Sequence, residues 1–337
     1  MTNFYKILFF NLLITSTMIS ISAISWISAW IGLEVNLLAL IPLMKSTSNK
    51  FSTEACIKYF IIQAMASACL LMSILLLSNL NLLNPKKIFI LQIFMNSALV
   101  LKMGAAPLHF WLPEVVSGLN WNIILLILTW QKIAPMILLY YSLQSSTFLS
   151  IIVISSSLLS GLQGMNQMCL RKIMAFSSIN HMSWMIASLL TSINLWTYYF
   201  TIYALTNFNI MFIFNKFNLL YINQLTKLFP ENKILKFFLM TNFLSLGGIP
   251  PFLGFLPKWL TINFLVTSNF NLLSMIMVFL TLITLFIYLR ISFAPFILNI
   301  NESLVNPYSS NLHFFFVSLN VTIIMSLPLY FFISNLF

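Results

Sequence analysis

The chain is built from apolar runs that are long enough to cross a lipid bilayer. A helix needs about 20 apolar residues to span the hydrocarbon core, and we count eleven such runs separated by polar connections. Inside a bilayer every backbone polar group must bond within the protein, so only helices and closed barrels can span it. No alternating ten-residue pattern of the barrel type is present. We predict helical spans at roughly 3–22, 24–45, 54–79, 87–118, 121–143, 148–166, 173–191, 194–216, 233–267, 270–295 and 312–335.

These spans predict an all-α, polytopic membrane protein that forms a single integral membrane domain over residues 1–337. Only 6% of the residues are charged, whereas soluble domains carry about 25%. The longest polar connections, 217–232 and 296–311, are too short for a soluble domain. We therefore expect any nucleotide, flavin or iron–sulfur site that works with this chain to belong to another subunit.

The positive charges predict how the helices are oriented. The net charge is +11, but its sources are spread over loops, so we expect no nucleic-acid partner. Lys and Arg are enriched on the inner side of membrane proteins. One face has only Lys86 and Lys87, and the other, which includes the N-terminus, has Lys6, Lys45, Lys50, Lys58, Arg171, Lys172, Lys216, Lys227, Lys233, Lys236 and Arg290. We therefore predict an inner N-terminus and, from the odd helix count, an outer C-terminus.

Two of the predicted spans, 87–118 and 233–267, are too long for single straight helices and contain Gly and Pro near their middles. The two copies share one pattern with identical spacing, 144 residues apart: Gly104, Pro107, Leu112, Pro113 and Glu114 in the first, and Gly248, Pro251, Leu256, Pro257 and Lys258 in the second. Broken helices of this kind offer free backbone groups and half-helix dipoles to ions and water. The odd number of intervening helices predicts inverted repeats at about 24–166 and 173–295, followed by a C-terminal helix at 312–335.

Four charged residues lie within these apolar runs, namely Glu34, Lys102, Lys132 and Lys258. A charge at the centre of a membrane helix costs roughly 2.5–3.5 kcal/mol on insertion scales, so such residues usually face a partner or a wet pathway. Burial penalises a charged lysine and a nearby carboxylate favours it. We interpret Glu34 as the modulator of a neighbouring lysine, or as its structural partner, and Lys102 as a proton carrier unless it extends to the surface.

The remaining polar residues of the spans have less defined roles. Pro135 removes the hydrogen bond to the carbonyl of Gln131, which leaves that group to water or to Lys132. Lys258 follows the second break, and anchoring at the membrane surface beside Trp259 is its alternative role.

The histidines and cysteines give no pattern of metal or haem ligation. His109 and His181 are relay candidates or structural residues, because they are 72 positions apart without the repeated spacing of haem ligands. We place His313 at the surface, and Glu114 in a channel or at its rim. The three cysteines lack metal spacing. We expect no catalytic residue, no metal and no bound cofactor in this chain.

Three motifs resemble the antiporter-like, proton-pumping membrane subunits of respiratory complex I. They are KMGAAPLHFWLPE at 102–114, RKIMAFSSINHM at 171–182 and LSLGGIPPFLGFLPKW at 244–259, of which the last is most similar to mitochondrially encoded members. The resemblance extends from about Trp26 to Arg290. A strong preference for Lys over Arg, typical of AT-rich organelle genomes, agrees with it.

The resemblance implies a subunit of the proton-translocating NADH:ubiquinone oxidoreductase, with flavin, iron–sulfur clusters and ubiquinone held by other subunits. Its partners would be other membrane subunits and lipids, and its place the mitochondrial inner membrane, with the N-terminus in the matrix and the C-terminus in the intermembrane space. The family's proton-pathway residues match Glu34, Lys102, Lys132 and Lys258, with His181 in a central hydrophilic axis. The helix breaks match Gly104, Pro107, Gly248, Pro250 and Pro251.

Three alternatives remain open from the residues alone. A stand-alone cation/proton antiporter subunit would use the same buried charges. A non-pumping structural membrane subunit would tolerate loss of Lys102 once assembled. A cytochrome-like quinol protein is disfavoured because paired histidines are absent from the sequence.

Overall fold

The computed structural model describes residues 4–45, 49–78, 85–143, 145–228, 233–297, 317–318 and 320–321. Regular structure within these ranges is helical, with one isolated bridge between Cys169 and Tyr221. The chain divides into two compact units, Met1–Ser156 and Ser157–Phe337. His313, with most of the predicted 296–311 connection and 312–335 span, lies outside the described residues.

The described part of the first unit contains seven helices and the start of an eighth. They are α1 Phe4–Ile21, α2 Trp26–Met44, α3 Lys50–Ser78, α4 Pro85–Met103, α5 Trp111–Ser117, α6 Trp121–Leu128, α7 Trp130–Tyr141 and α8 Ser146–Met165. Neighbours in sequence pack on one another, as α1 does on α2 and α3 does on α4. Ser25 begins α2 with a capping box, because its hydroxyl accepts from Ser28 N and the Ser28 hydroxyl accepts from Ser25 N.

Over residues 157–297, as far as the structure describes them, the second unit contains the end of α8 and six further helices. These are α9 Leu170–Leu189, α10 Ile193–Lys216, α11 Ile222–Leu228, α12 Lys233–Gly247, α13 Phe255–Thr267 and α14 Asn271–Ile297. Every side chain from 173 to 189 is buried, so α9 lies inside protein rather than against lipid. Helices α10 and α13 both pack on it.

Several of these helices have the length and composition of membrane spans. Within the described ranges six helical stretches are long and apolar enough: Phe4–Ile21, Trp26–Met44, Lys50–Ser78, Trp121–Tyr141, Ser146–Met165 and Asn271–Phe293. The predicted fold class, an all-helical membrane protein, is thereby confirmed.

Both predicted helix breaks are present, and both begin at a glycine in the left-handed region. Gly104 has φ +74° and Gly248 has φ +80°, values that side chains with a Cβ rarely adopt. At each site the next amide bonds back five residues, from Ala105 N to Val100 O and from Ile249 N to Leu244 O. This is the Schellman ending of a helix. The chain then resumes as α5 and α13.

Two local features were not predicted. The span expected at 121–143 is interrupted at Thr129, whose hydroxyl donates to Leu125 O at 2.6 Å, a bond that commonly bends a helix. The polar connection expected at 217–232 contains the short helix α11. It begins where Gln224 Oε1 accepts from the amides of Leu220 and Tyr221.

Candidate functional site

Lys102 and Lys132 share a small cavity in the first unit. Lys102 lies in the last turn of α4 and is 7% exposed, and Lys132 lies in α7 and is 1% exposed. Both line a cavity of about 20 Å³, which has room for about one water molecule. Other lining residues are Leu33, Asn36, Leu37, Tyr59, Gln63, Met103, Trp111, Ile127, Gln131 and Pro135. The structure therefore brings two of the predicted lysines to one site.

The ammonium of Lys102 faces this cavity without a direct partner among the described residues. No carboxylate oxygen of the described part of the chain lies within 4.0 Å of it. Its position at the carboxyl end of α4 is favourable for a cation, because the last carbonyls carry partial negative charge. The carbonyl of Lys102 itself accepts from Gln63 Nε2 at 3.2 Å. Lys102 is thus a buried lysine at a helix end, beside a cavity with room for about one water molecule.

Glu34 forms no ion pair with Lys102 in the structure. It is half-buried in α2 and does not line the shared cavity. Its Oε1 atom is buried and accepts no hydrogen bond from the described residues. Helices α2 and α4 hold the Glu34 carboxylate and the Lys102 ammonium more than 4.0 Å apart, so Glu34 is not a direct structural partner of this lysine.

Lys132 lies between two irregularities of its helix. The interruption at Thr129 comes three residues before it, and Lys132 N bonds Thr129 O in the tighter i−3 pattern. Pro135 comes three residues after it and lacks the N–H that would bond Gln131 O. The turn that carries Lys132 therefore has fewer backbone hydrogen bonds than a regular helix.

Uncharged polar residues that the sequence reasoning passed over complete this site. Asn36 donates to Gln131 Oε1 at 2.9 Å, and Gln131 Nε2 donates to Asn36 Oδ1 at 3.0 Å. Together with Gln63 they line the cavity of the two lysines. These residues could have been found in the sequence, because each is a polar residue in an apolar run. Asn36 follows Glu34 by two residues, and Gln131 directly precedes Lys132.

Lys258 occupies a different environment in the second unit. It lies in α13, is 6% exposed, and its ammonium bonds two carbonyls at the end of α12, Gly247 O at 2.9 Å and Leu246 O at 3.2 Å. The same atom lies 5.9 Å from the ring centre of Trp184. The alternative of a surface anchor is wrong, because Lys258 folds back over the break while Trp259 is 38% exposed.

His181 lies in the second unit, on the fully buried stretch of α9. Its Nδ1 atom is 3.0 Å from the hydroxyl of Tyr199, and its ring lies 5.0 Å from that of Tyr203. Trp184, which contacts Lys258, follows one turn later on α9. His181 is therefore part of a buried polar group of α9 and α10.

His109 and Glu114 flank the start of α5. His109 is buried in the first break, where its Nδ1 is 3.3 Å from Pro107 O and its ring stacks on Phe110. Glu114 forms an ion pair of 2.6 Å with Lys58, and both side chains are more than half exposed. Glu114 is therefore a rim charge. Its counterpart in the repeated pattern is the buried Lys258.

Metal ligation finds no support in the part of the chain that the structure describes. No group of three or more His, Cys, Asp or Glu side chains is placed there to hold an ion.

Comparison with known proteins identifies the family. The sequence profile described as NADH:quinone oxidoreductase/Mrp antiporter matches residues 23–284. The chain belongs to this family. The match covers both helix breaks and all four intramembrane charges, so the resemblance inferred from the motifs is confirmed.

Individual members of the family are similar over nearly the whole chain. NADH-ubiquinone oxidoreductase chain 2 of Aedes aegypti is 46% identical and that of Locusta migratoria 42% identical. The alignments cover 95% and 89% of this chain, and 95% and 88% of those relatives. A chain in the structure of respiratory complex I from Thermus thermophilus has the same fold, with a TM-score of 0.86, 21% identity, and coverage of 96% of this chain and 78% of that one.

Proposed function

We propose that the chain is a core membrane-arm subunit of NADH:ubiquinone oxidoreductase and carries a proton-translocation pathway coupled to quinone reduction elsewhere in the complex. The observation that carries the proposal is the pair of buried lysines, Lys102 and Lys132, on one water-sized cavity. Relatives named for this complex match the chain along most of its length. The chain takes part in the enzyme by membership, and hydride and electron transfer belong to other subunits.

In this proposal the first unit takes up the proton and transfers it onward. A half-channel from the matrix leads to the cavity, where a proton moves between Lys102 and Lys132 through the water that the cavity can hold. Glu34 stabilises the charged form of Lys102, so a change in the Glu34–Lys102 separation alters the affinity of Lys102 for its proton. Moving one charge against about 100 mV takes about 2.3 kcal/mol. A modest change in the distance between two buried charges can change their interaction energy by this amount.

The second unit would receive the charge and release it. His181 and Tyr199 belong to a central row of polar groups through which the proton moves. Lys258 is the last lysine of that row. Because the ammonium of Lys258 bonds two carbonyls at the end of α12, loss of its proton weakens that helix end. His109 remains a candidate relay residue in the first break.

The arrangement that we propose has eleven membrane helices in one integral domain, with inverted five-helix repeats at about 24–166 and 173–295. Both helix ends at the breaks have the same Schellman geometry, which supports the repeat. The chain would lie in the mitochondrial inner membrane with its N-terminus in the matrix and its C-terminus in the intermembrane space. Its partners would be other membrane subunits of the complex and lipids, and flavin, iron–sulfur clusters and ubiquinone would be bound elsewhere.

The proposal is tested by replacing Lys132 with Met in the assembled complex. Proton uptake and quinone reduction are measured together in proteoliposomes. We expect fewer protons per quinone reduced at normal assembly, while the matched change of exposed Lys86 to Met leaves the ratio unchanged. An unchanged ratio in Lys132→Met would refute the pathway in the first unit and leave a structural subunit as the explanation.

A cation/proton antiporter is the second candidate, because the family description also includes Mrp antiporters. Proteoliposomes that contain the complex are given a sodium gradient without NADH or quinone. Proton movement that follows the sodium gradient and depends on Lys132 would favour the antiporter. Proton movement that requires quinone reduction would favour the respiratory subunit.

A further inference from the structure

We propose that the amide pair Asn36–Gln131 is a positioning element of the proton step in the first unit. The inference rests on the proposed function and adds two residues to it. In this proposal the pair sets the spacing between α2, which carries Glu34, and α7, which carries Lys132. Neither amide exchanges the proton itself.

The pair joins the two helices by reciprocal hydrogen bonds. Each amide donates to the oxygen of the other, at 2.9 and 3.0 Å. Asn36 is 3% exposed and Gln131 is half-buried. A buried amide that loses its partner must leave its polar atoms unsatisfied, which makes each residue dependent on the other.

The location of the pair connects it to both charged groups. Asn36 follows Glu34 by two residues on α2, and Gln131 directly precedes Lys132 on α7. Both amides line the cavity that Lys102 and Lys132 share. A shift of α2 against α7 would therefore change the separation of Glu34 from Lys132 and the width of the cavity that Lys132 shares with Lys102.

The backbone around Lys132 gives a reason why a side-chain bridge is needed there. Thr129 interrupts the helix on one side, and Pro135 removes the hydrogen bond to Gln131 O on the other. The turn between them is weakly restrained by its own backbone. The bond from Gln131 to Asn36 supplies a restraint one residue away from Lys132, and so fixes the direction in which its side chain points.

The bridge is tested by leucine substitutions and by an exchange that keeps it. Asn36→Leu and Gln131→Leu each remove the reciprocal bonds at similar volume. The double change N36Q/Q131N exchanges the two side chains, so the combined length and both hydrogen bonds are kept. Asn209→Leu is the matched control, because Asn209 is also a buried helical amide but lies in the second unit, in α10. Asn36→Ser, which is too short to reach Gln131, replaces Asn36→Leu if that variant fails to assemble.

The measurement is protons taken up per quinone reduced by the assembled complex in proteoliposomes. Lys102→Met, measured in parallel, defines the share of pumping that depends on this site. We expect each leucine variant to lower that share about tenfold, as for loss of one buried hydrogen-bonding partner. We expect N36Q/Q131N to retain most of it and Asn209→Leu to leave it unchanged.

The other outcomes overturn the inference in distinguishable ways. If Lys102→Met lowers the ratio but neither leucine variant does, the bridge has no positioning role while the proposed function stands. If N36Q/Q131N is as impaired as the single variants, the residues do not act as an interchangeable bridge. An equal loss in Asn209→Leu would show general damage instead. No effect of Lys102→Met would refute the proposed function and this inference together.

Discussion

The two broken helices end in the same backbone geometry but satisfy their last carbonyls in different ways. At the end of α4, neutral groups bond the carbonyls, with Trp111 Nε1 on Leu101 O at 3.1 Å and Gln63 Nε2 on Lys102 O at 3.2 Å. At the end of α12, the ammonium of Lys258 bonds them itself.

Because different groups bond the carbonyls at the two helix ends, Lys102 and Lys258 have different structural roles. Among the described residues the carbonyls at the end of α4 are bonded by Trp111 and Gln63 rather than by the Lys102 ammonium. The Lys258 ammonium is itself a donor at the second break. Replacing Lys258 should therefore disturb its helix end, whereas replacing Lys102 should not.

The largest expected effect is the loss of Lys258. Lys258→Met leaves Leu246 O and Gly247 O unsatisfied in a buried site, so we expect the opening free energy of the last turn of α12 to fall by about 2–5 kcal/mol. Hydrogen exchange of the α12 amides in the assembled complex measures it. In Lys102→Met no bond of the ammonium is lost, and the last turn of α4 should exchange as in the wild type. Equal exchange changes in both variants would contradict the distinction between the breaks.

The next effect concerns the glycine that starts the second break. A Cβ on Gly248 would lie 2.8 Å from Lys258 Cδ and 3.0 Å from Nζ, at a φ of +80°. Gly248→Ala should therefore cost about 1–3 kcal/mol and reduce the yield of assembled complex on native gels. Gly247→Ala is the matched control, because its Cβ would meet Tyr288 at an ordinary 3.5 Å. Similar yields for the two variants would argue that Lys258 tolerates displacement.

A smaller effect is expected at the first break. Trp111→Phe removes the indole donor to Leu101 O and should lower the opening free energy at the end of α4 by about 1 kcal/mol. Faster exchange of the last α4 amides would report it, with the more exposed Trp259→Phe as control. Unchanged hydrogen exchange would show that the bond from Trp111 to Leu101 O does not stabilise the end of α4.

The smallest effect is expected for the ion pair at the rim. Lys58→Met breaks its 2.6 Å contact with Glu114, but both side chains are more than half exposed, where screening by water and salt leaves little net stabilisation. Assembly yield should change little and only at low ionic strength, and the charge exchange K58E/E114K should restore it. A large loss that persists at high salt would show that α5 depends on this pair.

The helical architecture could be predicted because a bilayer leaves few alternatives. Long apolar runs set the helices, and the repeated Gly–Pro spacing located both breaks at Gly104 and Gly248, since only glycine adopts that backbone readily. The interruption at Thr129 was missed because it arises from one hydroxyl bonding Leu125 O, a local choice that periodicity does not contain.

Only part of the site could be predicted from the sequence. Charge in an apolar run identified Glu34, Lys102, Lys132 and Lys258, because burial makes such residues costly. Tertiary packing decides which of these residues are in contact. In the structure it keeps Glu34 out of direct contact with Lys102. The amide bridge of Asn36 and Gln131 was overlooked because neutral amides are less costly in a helix than charges.

In the proposed pathway Lys102 and Lys258 both carry protons, although their ammonium groups have different surroundings. The most direct measurement is protons translocated per quinone reduced, for Lys102→Met and Lys258→Met in the assembled complex. We expect each variant to lower this ratio at comparable assembly. A wild-type ratio in either variant, with normal quinone reduction, would contradict a proton-carrying role for that lysine.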